Sequence, residues 1–197
     1  MKATKFITAG LFSLALTLGG TALAQDKMSA DKGMKEKTVM VGGAAMYPSK
    51  NIVANAVNSK DHTTLVAAVK AADLVETLQS EGPFTVFAPT NAAFDKLPDG
   101  TVATLLEPKN KSQLQTILTY HVVAGKFSAT DIIDGISKGN GRTIFTTVSG
   151  DEITASLNGD MVVLTDENGN TSTVTIADVN QSNGVIHVVD AVILPKK

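Results

Sequence analysis

From Arg142 onward the apolar residues stop recurring at helical spacing. They fall instead into short β-branched runs: TIFTTV, EITASL, MVVLT, STVTIADV and VIHVVDAVIL. Asn-Gly pairs begin at Asn140, Asn158, Asn168 and Asn183. Both residues of such a pair tolerate positive φ, which two-residue hairpin turns require. The pattern predicts an antiparallel meander. Its last run is apolar on both faces and therefore belongs at the centre of a sheet.

Before Arg142 the period is helical. Between His62 and Ser80, Leu65, Val69, Ala72, Val75 and Leu78 recur at steps of three and four, and Gly82-Pro83 ends the run. Asn51 to Asn58 predicts a shorter helix with Ile52, Val53, Ala56 and Val57 on one face. Asn110 can cap a third, with Leu114, Ile117, Leu118, His121 and Val122 in its stripe. Helices mainly in the N-terminal part and antiparallel strands in the C-terminal part make an α+β single domain.

The start of the chain reads as an address. Lys2 and Lys5 precede an apolar run from Phe6 to Leu18, and Ala22-Leu23-Ala24 has the small-x-small cleavage pattern. Residues 1–24 are expected to be a secretory signal peptide, so that the mature chain begins at Gln25 and is secreted or periplasmic. The run is short for a bilayer span, and stable membrane insertion is not expected. Residues 25–38 are charged and lack branched apolar side chains until the end, as a flexible linker does. Residues 39–197 are then the folded domain.

There is no cysteine, which excludes disulfides, thiolate metal sites and cysteine catalysis together. A packed core alone must hold the exported domain. Losing Lys2 and Lys5 with the leader takes the 17 Lys and Arg to 15, against 19 Asp and Glu, a net −4. Phosphate backbones require clustered Lys and Arg. Arg142 is the single arginine, so nucleic acid is not an expected partner.

The stretch FTVFAPTNAAF, Phe84 to Phe94, runs an apolar strand into a Pro-Thr-Asn corner. A nucleophile would stand at Thr90 or Asn91, but no G-x-S-x-G motif exists. Either residue serves more simply as the N-cap of a helix begun by Ala92, Ala93 and Phe94. Asp166 to Asn170, DENGN, resembles the start of a calcium loop but lacks its glycine and distal glutamate, and a hairpin turn explains it. Gly135 to Arg142, GISKGNGR, has no G-K-[ST] and reads as a loop. His62, His121 and His187 show no metal-binding spacing. His121 and His187 lie in apolar patterns, where each imidazole must find hydrogen-bond partners. They read as core histidines tying helix to sheet, with contact to a bound ligand as the alternative.

Three segments resemble the fasciclin domain family: FTVFAPTNAAF (84–94), YHVVAGK with Tyr120 and His121 (120–126), and NGVIHVVDAVILP (183–195). The likeness covers about Val39 to Pro195, in the arrangement of secreted bacterial members. It implies a wedge of two β-sheets flanked by helices, no enzymatic activity, and adhesion to cells or extracellular matrix. A cell-surface or matrix protein or polysaccharide is the implied partner, bound by a monomer. Animal members use an Asp-Ile pair in integrin contacts, and the matching residues are Asp178 and Val179, expected at the sheet's end with the carboxylate in water. Asp178 as a turn cap is the alternative. No cofactor is expected. Some members of the family bind carotenoids, however, and Met40, Met46 and Tyr47 offer a candidate apolar slot for such a ligand.

Overall fold

The computed structural model describes residues 37–196. The expected signal peptide, and the expected linker up to residue 36, lie outside the described residues. Within them no helix is long and apolar enough to cross a membrane. The chain opens with a small hairpin, β1 (Val39–Val41) and β2 (Ala44–Met46). Then come α1 (Ile52–Ala56), α2 (Thr63–Ala71), α3 (Val75–Gln79), β3 (Phe84–Pro89), α4 (Asn91–Phe94), α5 (Thr101–Leu105), α6 (Lys111–Tyr120), β4 (Val122–Ala124) and α7 (Ala129–Lys138). The rest is sheet: β5 (Arg142–Thr146), β6 (Glu152–Asn158), β7 (Met161–Thr165), β8 (Thr171–Gln181) and β9 (Gly184–Val189). This is a mixed α+β fold with most helices in the N-terminal half.

Several local expectations are corrected. The helix read over 62–80 is two helices, because Asp73 takes φ 54° and the Leu74 N–H reaches back to the Val69 carbonyl at 3.1 Å. That bond closes a helix through a left-handed residue, a place glycine usually fills and Asp tolerates. In α1 the buried residues are Ile52 and Asn55, while Val57 is exposed. Asn110 does not cap α6 with its side chain. Its Nδ2 donates to the Thr104 carbonyl instead. His121 is the C-cap of α6, and Val122 already belongs to β4. The glycine-rich stretch read as a loop supplies the last turn of α7, begun by a capping box between Ser128 and Asp131.

The strand order is β4-β3-β9-β8-β7-β6-β5. Strands β5 to β9 form the expected antiparallel meander. Strand β3, far earlier in sequence, joins β9 in parallel, from Phe84↔Gly184 to Pro89↔Val189. That pairing requires Gly184, since a Cβ there would lie 2.0 Å from the Phe84 carbonyl oxygen. Strand β8 divides its length, pairing β7 over 171–173 and β9 over 174–181, with register shifts around Ile176. Two ladders thus share one bulged strand. A bridge Val123↔Thr147 and a 2.8 Å bond from the Val148 N–H to the Val122 carbonyl tie β4 to the end of β5.

Alternation on β3 and β9 creates two cores. Val86, Ala88, Ile186 and Val188 face the N-terminal helices, packing with Leu65, Leu114 and Leu118. Phe87 and Val189 face the other way, toward Tyr120, Ile132, Ile153 and Leu164. Every residue of β9 is buried, which accounts for its unbroken apolar run.

Candidate functional site

The β8 bulge sets Asp178 at φ 57°. Its side chain turns to the start of α7, where Oδ1 accepts the Ala129 N–H at 2.8 Å. The Asp178 N–H donates to His187 Nδ1 at 3.3 Å. With Nδ1 accepting, Nε2 carries the proton and donates to the Phe127 carbonyl at 2.9 Å. His187 is fully buried and stacks on Phe87, the ring centroids 5.8 Å apart. Burial lowers its pKa, and the Phe127 carbonyl and Asp178 carboxylate oppose this.

The expected exposed pair is therefore not what the fold presents. Asp178 lies within β8, half-buried, and Val179 is only 1% exposed. The bulge breaks strand alternation and sends the valine into the core. A contact built on an exposed branched side chain beside the carboxylate has no such side chain here.

Tyr120 and His121 tie the end of α6 to the sheet and the C-terminal segment. Tyr120 is fully buried, and its hydroxyl donates to the Glu152 carbonyl at 2.8 Å. Burial, with Asp166, Glu167 and Asp151 nearby, pushes its pKa up to about 12. The Ile193 N–H donates to His121 Nε2 at 3.3 Å, so Nδ1–H donates to the Ile117 carbonyl at 2.8 Å. Burial pulls the His121 pKa down to about 4, against the pull of the Ile117 carbonyl. Both ring nitrogens are engaged with backbone.

The residues expected to form an apolar slot separate. Met40 is 60% exposed and Tyr47 40%, its ring carrying the Lys50 ammonium 4.9 Å from the centroid. Met46 is buried and borders two concavities. One is a cleft of about 430 Å³ that Lys37, Ser128, Asp178 and Asn180 also line. The other is an apolar cavity of about 80 Å³ among α1, α2, α3 and β3, walled by residues such as Val41, Ile52, Leu65 and Val86.

His62 lines that cavity and is 3% exposed. Ser59 and His62 stand three residues apart across the 3₁₀ turn Lys60–His62, a spacing that stacks side chains on one side. Ser59 Oγ accordingly meets His62 Nδ1 at 2.8 Å. Nε2 is buried without a hydrogen-bond partner. Burial lowers the His62 pKa, and the Ala88 carbonyl, near but not in hydrogen-bonding geometry, together with Asp61, works the other way. In the sequence the Ser-x-x-His spacing was the available sign of this arrangement.

On the opposite part of the sheet the outer face is rich in hydroxyls. Ile144, Thr154, Thr165 and Thr171 stand side by side across four strands, and Arg142, Ser156, Val163 and Thr173 form the next row. None of the eight is buried. Arg142 is their one charge.

The other sequence candidates resolve locally. Thr90 caps α4, accepting the Ala93 N–H at 3.3 Å, and Asn91 Oδ1 accepts the Thr64 N–H at 3.0 Å. The corner joins a strand to two helices. Asp166 closes its own turn by accepting the N–H groups of Asn168 and Asn170, and it also holds the Leu194 N–H. Among the described residues no group of three or more potential ligands could hold a metal ion.

Comparison with known proteins matches a fasciclin domain family model to residues 60–195. Protein sll1483 of Synechocystis sp. is 47% identical over 183 residues, covering 90% of this chain and 92% of its own. Immunogenic protein MPT70 of Mycobacterium tuberculosis is 34% identical over 98% of this chain and 95% of its own. Cell surface glycolipoprotein MPB83 of Mycobacterium bovis is 34% identical over 79% of this chain and 64% of its own. Among solved structures, a FAS1 domain pair from the insect cell adhesion molecule fasciclin I superposes with a TM-score of 0.67 at 19% identity. That match covers 75% of this chain and spans about half, 52%, of the other.

Proposed function

This chain belongs to the fasciclin domain family, a non-catalytic adhesion and binding domain, and we propose that it works outside the cytoplasm as an adhesion module for a cell-surface or matrix protein or polysaccharide. The observation that carries the reading is the outer face of β5 to β8. Its two rows join hydroxyls with Ile144 and Val163 and hold a single charge. Such a face suits a partner that offers hydroxyls and apolar patches rather than a strong field. A relative described as a cell surface glycolipoprotein and a fold shared with a cell adhesion molecule support the placement. Asp178 and Val179 serve the fold in this reading, not the partner.

The test is a double substitution, Thr154→Glu with Thr165→Glu, on this face. Retention on envelope or matrix preparations should fall at least tenfold, about 1.4 kcal/mol. The melting temperature should move by only a few degrees, because neither side chain is buried and the repulsion between the paired glutamates costs about 1 kcal/mol or less. Unchanged retention overturns the assignment of this face.

The alternative is carriage of an apolar small molecule of carotenoid type, for which the 80 Å³ cavity is too small to serve as the whole site. Exposure of the purified protein to a pigment extract tests it, and a colourless protein after desalting counts against it.

A further inference from the structure

Four Asn-Gly pairs punctuate this chain, and the fold treats one of them differently. Glycine has no Cβ, so the amide nitrogen that follows each asparagine is unshielded. When free, that nitrogen can attack the side-chain carbonyl carbon of its own asparagine. Three of the pairs are held. Gly141 donates its N–H to the Ile136 carbonyl at 2.9 Å, closing the end of α7. Asn168 Nδ2 donates to the Leu194 carbonyl at 2.9 Å, and the Gly169 N–H donates to the Asp166 carbonyl at 3.0 Å. Asn183 is buried, accepts the Ile52 N–H at 3.0 Å and donates to the Leu78 carbonyl at 2.8 Å.

The fourth pair, Asn158-Gly159, is open. Asn158 ends β6 opposite Met161, and the hairpin turns on Gly159 and Asp160. Both Asn158 and Gly159 are exposed, and a Cβ at Gly159 would meet nothing within 4 Å. Among the described residues, neither the Asn158 side chain nor the Gly159 N–H has a hydrogen-bond partner. Attack requires Asn158 to leave its strand conformation. At the last pair of an exposed hairpin tip such local opening costs least.

We propose that Asn158-Gly159 is a self-modification site, at which this domain deamidates in water. The Gly159 nitrogen, losing its proton to solvent base, bonds to Asn158 Cγ. The bond from Cγ to Nδ2 breaks, and the departing nitrogen takes up a proton and leaves as ammonia. Water then opens the cyclic succinimide at either carbonyl, which yields aspartate or isoaspartate. Period two along β6 puts residue 158 on the same face as Thr154 and Ser156. Either product therefore adds a carboxylate beside two rows of side chains that hold Arg142 as their one charge. Isoaspartate also lengthens the backbone by a methylene at the end of the β6–β7 ladder.

The experiment incubates the full chain in mildly alkaline buffer and maps its peptides over time by mass spectrometry, with fragmentation that separates aspartate from isoaspartate. Asn158 should convert at least about tenfold faster than Asn140, Asn168 or Asn183, each of which must first give up hydrogen bonds. In urea, where no fold selects among the four, their rates should converge. Asn158→Gln should remove most of the ammonia that wild-type protein releases at early times. Equal conversion of all four pairs in the folded chain, faster conversion of another, or no conversion at Asn158 overturns the proposal. So does a preference for Asn158 that persists undiminished in urea, or ammonia release from Asn158→Gln at the wild-type rate.

Discussion

The Asp178 N–H donates to His187 Nδ1 across 3.3 Å, so a left-handed residue in a strand bulge and a fully buried imidazole fix each other. The same aspartate accepts the Ala129 N–H at the start of α7. One residue therefore joins β8, β9 and a helix terminus. Its chemistry is structural, and its substitutions should read out as stability.

Asp178→Ala loses the helix-terminal acceptor, worth about 1 kcal/mol, and places a Cβ-bearing residue without a local hydrogen bond at positive φ, for another 1–2 kcal/mol. The expected loss is about 2–3 kcal/mol in urea unfolding. Asp178→Asn keeps both the acceptor and the tolerance of that backbone, and should lose under about 1 kcal/mol. Equal stability of the two variants would show that the bulge does not depend on this side chain.

Acid should destabilise the domain through its histidines. His121 has a folded pKa of about 4 against 6.5 unfolded. Between these values the unfolded chain binds the proton and the folded one does not, so stability falls as pH falls. The contribution is complete above pH 6.5 and lost progressively down to about pH 4. For His121 it amounts to about 3 kcal/mol at 1.36 kcal/mol per unit. His62 and His187, also lowered by burial, act in the same direction. Melting temperature should therefore drop steeply between pH 6.5 and 4, and His121→Gln should show a shallower drop. A flat profile across that interval contradicts the buried neutral ring.

Much of this fold was legible because it follows local rules. The meander beyond Arg142, the Thr90 cap and the doubly buried β9 all follow from period and turn chemistry. What the sequence hid was set by long-range partners. Nothing local distinguishes Asp178 from other aspartates, yet it sits at positive φ, held by Ala129 and His187. Asn183 looked like one more turn residue. It is buried, accepting the Ile52 N–H and donating to the Leu78 and Ser80 carbonyls, so it ties the β8–β9 hairpin to the helices. The separation of Met46 from Met40 and Tyr47 is likewise decided by which face of the small hairpin packs inward. His62 shows only the absence of a metal-binding spacing in the sequence, because the cavity it borders is assembled from segments far apart in the chain.

Two glycine-to-alanine substitutions should separate a tertiary requirement from a local one. At Gly184 the new Cβ would meet the Phe84 carbonyl oxygen at 2.0 Å, a backbone atom of the parallel neighbour that cannot move without parting β3 from β9. Both strands are central, so the strain reaches both cores, and a loss of about 3 kcal/mol or more is expected. At Gly135, inside α7, the nearest atom is Thr143 Oγ1 at 3.2 Å, the tip of a side chain that can rotate away. There alanine gains about 1 kcal/mol of helix propensity, which offsets the crowding and leaves the stability within about 1 kcal/mol of wild type. Paired urea titrations measure both. A Gly184→Ala variant as stable as Gly135→Ala would mean that β3 and β9 do not approach as closely as their register requires, and the placement of the Pro-Thr-Asn corner at the end of β3 would lose its support.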